Sequence, residues 1–126
     1  MEKVKADYDV EGDTLYVYKE GPVAGSLRLG PHLILDFSPE DRPVGIEFLA
    51  ASKILSRIAN AAVPKAALSR ITKAVLREEV SGDVRYLYYG IVCGTQGRHA
   101  QIVNGMLPLP RMNVARRSRI LFQKLR

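Results

Sequence analysis

The sequence is poor in residues that cross-link small proteins or bind metals. It has one cysteine, Cys93, and no tryptophan among 126 residues, so an internal disulfide is excluded. None of the spacings typical of zinc sites, phosphate-binding loops or serine-hydrolase turns occurs around its two histidines or elsewhere. We therefore expect no cofactor and no metal, and the residue types favour a non-catalytic protein.

Long apolar runs and disorder-prone composition are missing as well. The hydrophobic content of 47% and the charged content of 25% are those of a globular domain. We expect one compact domain over residues 1–126, with residues 1–62 and 63–126 as two lobes if it divides. Residues 84–97 are nearly uncharged but fall short of the about 20 residues of a spanning helix. No apolar signal segment follows Met1, so we expect a cytoplasmic protein without membrane contact.

Acidic residues are missing from the last third of the chain. Residues 84–126 hold eight basic and no acidic residues, whereas residues 1–48 hold five basic and ten acidic ones. A concentrated positive region favours encounter with a polyanion. Alternatively, the acidic first third neutralises the basic last third within one fold or across a dimer. Twelve arginines beside three asparagines and three glutamines also weakly indicate a hot-environment origin.

Alternation of apolar and polar residues predicts strands in the first half, because period two marks a half-buried strand. Turns rich in glycine and proline separate five such segments. The predicted strands lie at about residues 3–10, 14–18, 26–29, 33–37 and 44–48. Antiparallel pairing of the last two, with Phe37 opposite Val44, sets Leu35 opposite Ile46 and gives one apolar face.

The same pairing places two carboxylates on the outward face. Asp36 and Glu47 lie diagonal to each other there, on adjacent strands. Two carboxylates so placed could bind a cation or raise one another's pKa for acid–base catalysis. An enzyme that uses Asp36 and Glu47 is therefore one hypothesis, although no histidine stands at a ligand spacing from either residue.

Beyond residue 49 the apolar period changes to about 3.6, which predicts helices. The first helix takes Ile54, Leu55, Ile58 and Ala62 as its apolar side. Pro64 suits the first turn of a second helix, predicted over about residues 64–80. Its apolar positions are Leu68, Ile71 and Val75. Ser81-Gly82-Asp83 is the predicted stop signal.

The last third predicts a hairpin and a basic helix. Strands at about residues 84–93 and 98–103 form the hairpin, the first buried on both faces. Asn104-Gly105 and two prolines predict an irregular connector, and Asn113 a helix N-cap. The helix carries the candidate nucleic-acid contacts Arg116, Arg117, Arg119, Lys124 and Arg126. The alternative is that these cations serve solubility and complement the helix dipole.

Part of the first half resembles a known family. The residues that carry the resemblance are Tyr8-Asp9-x-x-x-Asp13-x-Leu15-Tyr16-Val17, Gly21-Pro22-Val23, Leu35-Asp36 and Val44-Gly45-Ile46-Glu47-Phe48-Leu49-x-Ala51-Ser52. Over about residues 4–55 they resemble the domain of unknown function 2283. The resemblance implies an antiparallel β-meander capped by a helix and brings no established activity. Some relatives resemble antitoxin partners of small toxin proteins.

These observations predict an α+β fold: an N-terminal antiparallel meander of about five strands capped by a helix, then a second helix, a β-hairpin and a basic C-terminal helix. Exposed strand edges and unpaired apolar faces favour a homodimer. The first functional hypothesis is a protein-binding or assembly module, antitoxin-like in kind. Nucleic-acid binding through the basic C-terminal region is the alternative, and the acid–base enzyme is the third.

Overall fold

The computed structural model describes residues 3–94 and 100–109, and antiparallel strands predominate in them. The first five strands are β1 Val4–Asp9, β2 Thr14–Lys19, β3 Gly25–Leu29, β4 Leu33–Phe37 and β5 Pro43–Phe48. They are followed by the helices α1 Ala51–Ala59 and α2 Lys65–Leu68 and by the strands β6 Ile71–Ser81, β7 Val84–Cys93 and β8 Gln101–Pro108. The α+β class predicted from the sequence is confirmed.

The first five strands form one antiparallel sheet in the order β1-β2-β5-β4-β3. The order departs from a continuous meander at one point, because β5 and not β3 lies beside β2. Leu35 lies opposite Ile46, as predicted. The pairing of Phe37 with Val44 was wrong: the register shifts between Asp36 and Phe37, and Phe37 lies opposite Pro43.

The predicted second helix was wrong over most of its length. Only α2, four residues long, is helical, and residues 71–81 form β6, which pairs with β7 along its length. Apolar residues three and four apart were taken for a helix face, but Ile71, Thr72 and Val75 are β-branched and suit a strand. Gly82 has a positive φ of 60°, in the two-residue turn of the β6–β7 hairpin instead of at a helix end.

The second sheet has the order β6-β7-β8. The predicted pairing of β7 with a following strand is confirmed, but the irregular connector was wrong, because β8 continues to Pro108. A proline is tolerated at the end of an edge strand, where its nitrogen needs no partner. Burial of β7 on both faces was also wrong: Leu87, Ile91 and Cys93 are buried, whereas Tyr86 and Tyr88 on the other side are partly exposed.

The inner faces of the two sheets share one hydrophobic core with the two helices. Phe48 of the first sheet meets Tyr89 of the second edge to face, with ring centroids 5.3 Å apart. Leu55 of α1 and Leu68 of α2 close the same core. Cys93 is fully buried in it, and burial raises the pKa of its thiol. No helix within residues 3–94 and 100–109 has the length and apolarity to cross a membrane.

The basic helix predicted after Asn113 lies outside the described residues. The same holds for its cations Arg116, Arg117, Arg119, Lys124 and Arg126 and for the predicted start of the last strand at residues 98–99.

Candidate functional site

The two carboxylates proposed for catalysis lie on the outer face of the first sheet. Asp36 is opposite Gly45 and Glu47 is opposite Ile34, so the carboxylates are diagonal neighbours. Both oxygens of Asp36 accept hydrogen bonds from hydroxyl groups, one from Tyr16 at 2.5 Å and one from Ser26 at 2.6 Å. Asp36 therefore connects side chains of three strands. Neither Asp36 nor Glu47 lines the cavities of about 810 and 440 Å³.

Gly45 makes this network possible. A Cβ atom at Gly45 would lie 2.7 Å from the Tyr16 hydroxyl oxygen, so the glycine leaves the space through which Tyr16 reaches Asp36 across β5. The Tyr16 ring stacks on Tyr18, with centroids 4.6 Å apart and planes 13° apart. Burial, followed by the hydrogen bond to Asp36, raises the pKa of Tyr16 well above its usual value. Tyr16 therefore acts as a hydrogen-bond donor.

A second carboxylate, Asp13 in the β1–β2 turn, joins the first hairpin to α1. Its carboxylate accepts hydrogen bonds from the Tyr8 hydroxyl at 2.7 Å, the Ser52 backbone N–H at 3.0 Å and the Ser52 hydroxyl at 2.6 Å. Its carbonyl oxygen accepts the N–H of Ala51 at 2.7 Å. The N-cap residue Ala50 has no side-chain oxygen, so Asp13 caps the helix from another element.

This cap makes stability depend on pH. Burial alone would raise the pKa of Asp13, but the hydrogen bonds from Ser52 and Tyr8 and the charge of Lys65 lower it below 3.8. A carboxylate with a lowered folded-state pKa stabilises the fold above its unfolded-state pKa, and that contribution is lost as the pH falls through the folded value.

We therefore expect the stability difference between the native chain and Asp13→Asn to be constant above about pH 5 and to shrink below about pH 4. Urea unfolding between about pH 2.5 and 7 measures it. Asp9→Asn is the control, because the exposed Asp9 accepts, from residues 3–94 and 100–109, only the N–H of Glu11, at 3.2 Å. A difference for Asp13→Asn that does not change with pH would contradict the assignment.

The second sheet has an outer face, defined here as the outer β6–β7–β8 face, which carries large apolar side chains. Its rows across the strands are Lys73–Val92–Ile102, Val75–Gly90–Asn104, Arg77–Tyr88–Met106 and Glu79–Tyr86–Pro108. Ile102 is 66% exposed and Met106 is 48% exposed. The Arg77 guanidinium lies 4.6 Å from the centroid of the Tyr88 ring, and the Asn104 amide donates to the Tyr88 hydroxyl. The face is apolar along β7 and β8 and charged along β6.

Sequence reasoning did not find this face, because a helix was predicted where β6 lies. The alternation of Ile102, Asn104 and Met106 with Val103 and Gly105 is typical of a strand and could have identified the strand β8. The structure does bring together the outward carboxylates Asp36 and Glu47. Among residues 3–94 and 100–109, no three His, Cys, Asp or Glu side chains converge as a metal site would require.

The fold and these clusters define a two-sheet α+β protein whose first sheet carries a recognisable motif. Residues 5–52 match the family described as Protein of unknown function (DUF2283), which confirms the resemblance predicted from the sequence. The chain is also similar to Uncharacterized protein MJ0789 of Methanocaldococcus jannaschii, with 44% identity over 54 residues. Those residues are 43% of this chain and 47% of the relative, so the chain spans about half of its length. No solved structure matches significantly.

The matched segment contains the whole helix-capping cluster. Tyr8, Asp13 and Ser52 all lie within residues 5–52, and the three side chains bond to one another. Gly45 and Tyr16 of the outer network lie there too. These residues of the motif therefore have a structural explanation in this chain, whereas the outer β6–β7–β8 face lies beyond the matched segment.

Proposed function

We propose that this protein is a non-catalytic assembly module that pairs with a second copy of itself through the outer β6–β7–β8 face. The observation that carries the proposal is the exposure of Ile102 and Met106 beside Tyr88 on one three-stranded face. Contiguous apolar surface of this kind is typical of interaction sites. The occupant we infer is a second copy, because the pattern of the face is complementary to itself.

Charge is the first element of that complementarity. On β6, Lys73 lies at one end of the face and Glu79 at the other, six residues away. We place a two-fold axis in the plane of the face, perpendicular to the strands and midway between the rows of Val75 and Arg77. Rotation about this axis lays the second copy on the first with its strands running in the opposite direction. Lys73 of each copy then faces Glu79 of the other. Glu79 already pairs with Arg77 of its own copy at 2.9 Å, so each of the two carboxylates would be shared between Arg77 and the Lys73 of the other copy. Opposite charges at these positions favour this orientation over any orientation in which like charges meet.

Exposed apolar side chains are the second element. The same axis sets the row of Tyr88 of one copy against the row of Gly90 of the other. Within one copy the Tyr88 hydroxyl and the Asn104 Cβ already lie 3.6 Å from the position of a Cβ at Gly90, and the Arg77 guanidinium covers the Tyr88 ring. The side chains that stand out from the face are Ile102 and Met106. Apolar contact across the axis therefore comes from these two residues of each copy.

The size of the face sets the strength of the pairing. Four rows on three strands cover about 27 Å by about 14 Å, or about 400 Å² per copy. A standard stable interface uses about 800 Å² per partner. We therefore expect a reversible dimer that forms in the micromolar range, whose apparent mass depends on concentration.

Sedimentation equilibrium of the full chain tests the proposal. The mass is expected to rise from 14.0 kDa towards twice that value as the concentration increases from about 5 to about 500 µM. Met106→Lys is expected to weaken pairing at least about tenfold, since a buried methionine contributes about 1.5–3 kcal/mol. Val80→Lys is the matched control, because Val80 is 69% exposed but alternates to the opposite face of β6. A chain that is monomeric throughout, or equal loss in both variants, would refute the proposal.

A charge exchange tests the orientation. Lys73→Glu and Glu79→Lys, each alone, bring like charges together twice across the axis and are expected to weaken self-association. An equimolar mixture of the two variants restores both ion pairs and is expected to form a heterodimer. If the mixture associates no better than either variant, the two-fold arrangement is wrong.

A further inference from the structure

The groove between α1 and α2 is a cavity of about 440 Å³ with an unusual charge. We call this cavity the α1–α2 groove. It is lined by Ser52, Lys53, Ser56, Arg57, Ala62, Val63, Pro64 and Lys65. Three of them are basic and none is acidic. The cavity of about 810 Å³ is different, because it is lined by three basic and three acidic residues. A ligand in the α1–α2 groove would therefore meet a field of one sign.

The charges of the groove lack the compensation that other cations of this protein have. Lys5, Arg42, Arg77 and Arg85 form ion pairs with glutamates or aspartates. Within residues 3–94 and 100–109, no carboxylate forms an ion pair with any of the three groove cations. The charge of Lys65 helps to lower the pKa of Asp13, but the Asp13 carboxylate accepts its hydrogen bonds from Ser52 and Tyr8.

The walls of the groove are held in place by the chain itself. Lys53 and Arg57 are four residues apart on α1, so they lie on the same side of the helix. The Ser56 hydroxyl donates to the Ser52 carbonyl at 2.6 Å and accepts the Val63 N–H at 2.9 Å. The Ala62 carbonyl accepts the Gln101 amide at 3.0 Å. The backbone segment that leads to Lys65 is thus fixed against α1, and the exposed side chains of the three cations extend from a fixed backbone.

We propose that the α1–α2 groove binds phosphate groups of a nucleic-acid backbone. A guanidinium and two ammonium groups are the side chains that contact phosphates, the first as a planar fork and the others as point charges. The groove is open to solvent and its three cations are exposed, so a phosphate of a polymer can reach them. The chain's net charge of +6 attracts a polyanion to its vicinity. This proposal concerns a different surface from the self-association face and is independent of it.

Fluorescence anisotropy of the full chain with a labelled 12-residue oligothymidylate tests the proposal. The variant is Lys53→Gln with Arg57→Gln, and Lys65 is kept because its charge acts on Asp13. Both replaced side chains are exposed on α1 and glutamine is a good helix former, so the fold is expected to persist. The control is Lys3→Gln with Arg28→Gln, which removes the same two charges from exposed positions off the groove.

At low salt the groove variant is expected to bind at least about tenfold more weakly than the native chain. The slope of log K against log salt should fall in magnitude by about 1.4, since each phosphate contact to a single strand contributes about 0.7. The control variant should keep the native slope. An unchanged slope in the groove variant, or an equal change in the control, would overturn the proposal.

Inorganic phosphate is the second probe, because it supplies the same chemical group without a polymer. It is expected to compete with the oligonucleotide only at millimolar concentration. Competition by inorganic phosphate at the concentration at which the oligonucleotide itself binds would assign the groove to a small phosphate and overturn a nucleic-acid backbone as its occupant.

Discussion

Replacement of Asp13 by alanine is expected to lower the free energy of unfolding by about 3 kcal/mol. The change removes three hydrogen bonds at once and leaves the N–H and hydroxyl of Ser52 and the hydroxyl of Tyr8 without their acceptor. Loss of a helix cap costs about 0.5–2 kcal/mol, and a hydrogen bond to a charged group contributes about 1.5–3 kcal/mol. Equilibrium urea unfolding at pH 7 measures the effect.

Asp9→Ala is the control for this prediction. Asp9 is the last residue of β1, next to the same turn, but it is exposed, and among the described residues its carboxylate accepts the N–H of Glu11. We expect its replacement to cost about 0.5 kcal/mol or less. Similar losses in the two variants would show that the β1–β2 turn, and not the link from Asp13 to α1, determines the stability.

The second large effect is expected at Gly105, where alanine should destabilise the protein by about 2–3 kcal/mol. An ideal Cβ at Gly105 would lie 2.6 Å from Cζ of Tyr89 on the neighbouring strand. Tyr89 is only 5% exposed and packs against Phe48, so its ring has to move within a filled core. Overpacking of this kind costs about 1–3 kcal/mol. Thermal and urea unfolding measure it.

Gly90→Ala is the matched control, on the adjacent strand of the same sheet. A Cβ there would meet nothing closer than 3.6 Å, which is ordinary contact, so we expect a change within about 1 kcal/mol. A double-mutant cycle identifies the cause. In a Tyr89→Leu background most of the penalty of Gly105→Ala should vanish, giving a coupling of about 1–2 kcal/mol. A penalty that persists in that background would assign the effect to the backbone of β8.

The fold prediction was accurate where local pattern and tertiary environment agree. In the first sheet the buried residues recur at every second position, as Leu15 and Val17 or Leu35 and Phe37 do, and this period has one interpretation when one face is buried. The pairing of Leu35 with Ile46 followed from it. Residues 71–81 fit two conflicting patterns. Their apolar residues are spaced three and four apart, as on a helix face, whereas their β-branched residues favour a strand. The ten-residue strand β7 decided between them, because residues 71–81 pair with it across a two-residue turn.

For the candidate sites as well, local pattern predicted some features and contacts between separate elements decided the others. Asp36 and Glu47 were found as outward carboxylates because their positions depend on register within one hairpin. Both oxygens of Asp36 are nevertheless occupied by Tyr16 and Ser26, from strands whose neighbours the alternation does not reveal. Asp13 was noted from the sequence as a residue of the family motif, whereas its carboxylate bonds Tyr8 and Ser52, the latter 39 residues away.

From its residue order alone this chain determines one antiparallel scaffold, a first helix and a strong charge asymmetry, since periodicity and composition are properties of neighbours along the chain. Residues 71–81 form a strand because they pair with the segment that follows them. The position of β5 beside β2, the cap of α1 by Asp13 and the contact of Gln101 with the α1–α2 groove arise from contacts between distant segments. Such contacts form only when burial of apolar faces brings those segments together, and the free energy of that burial is not readable from any local window.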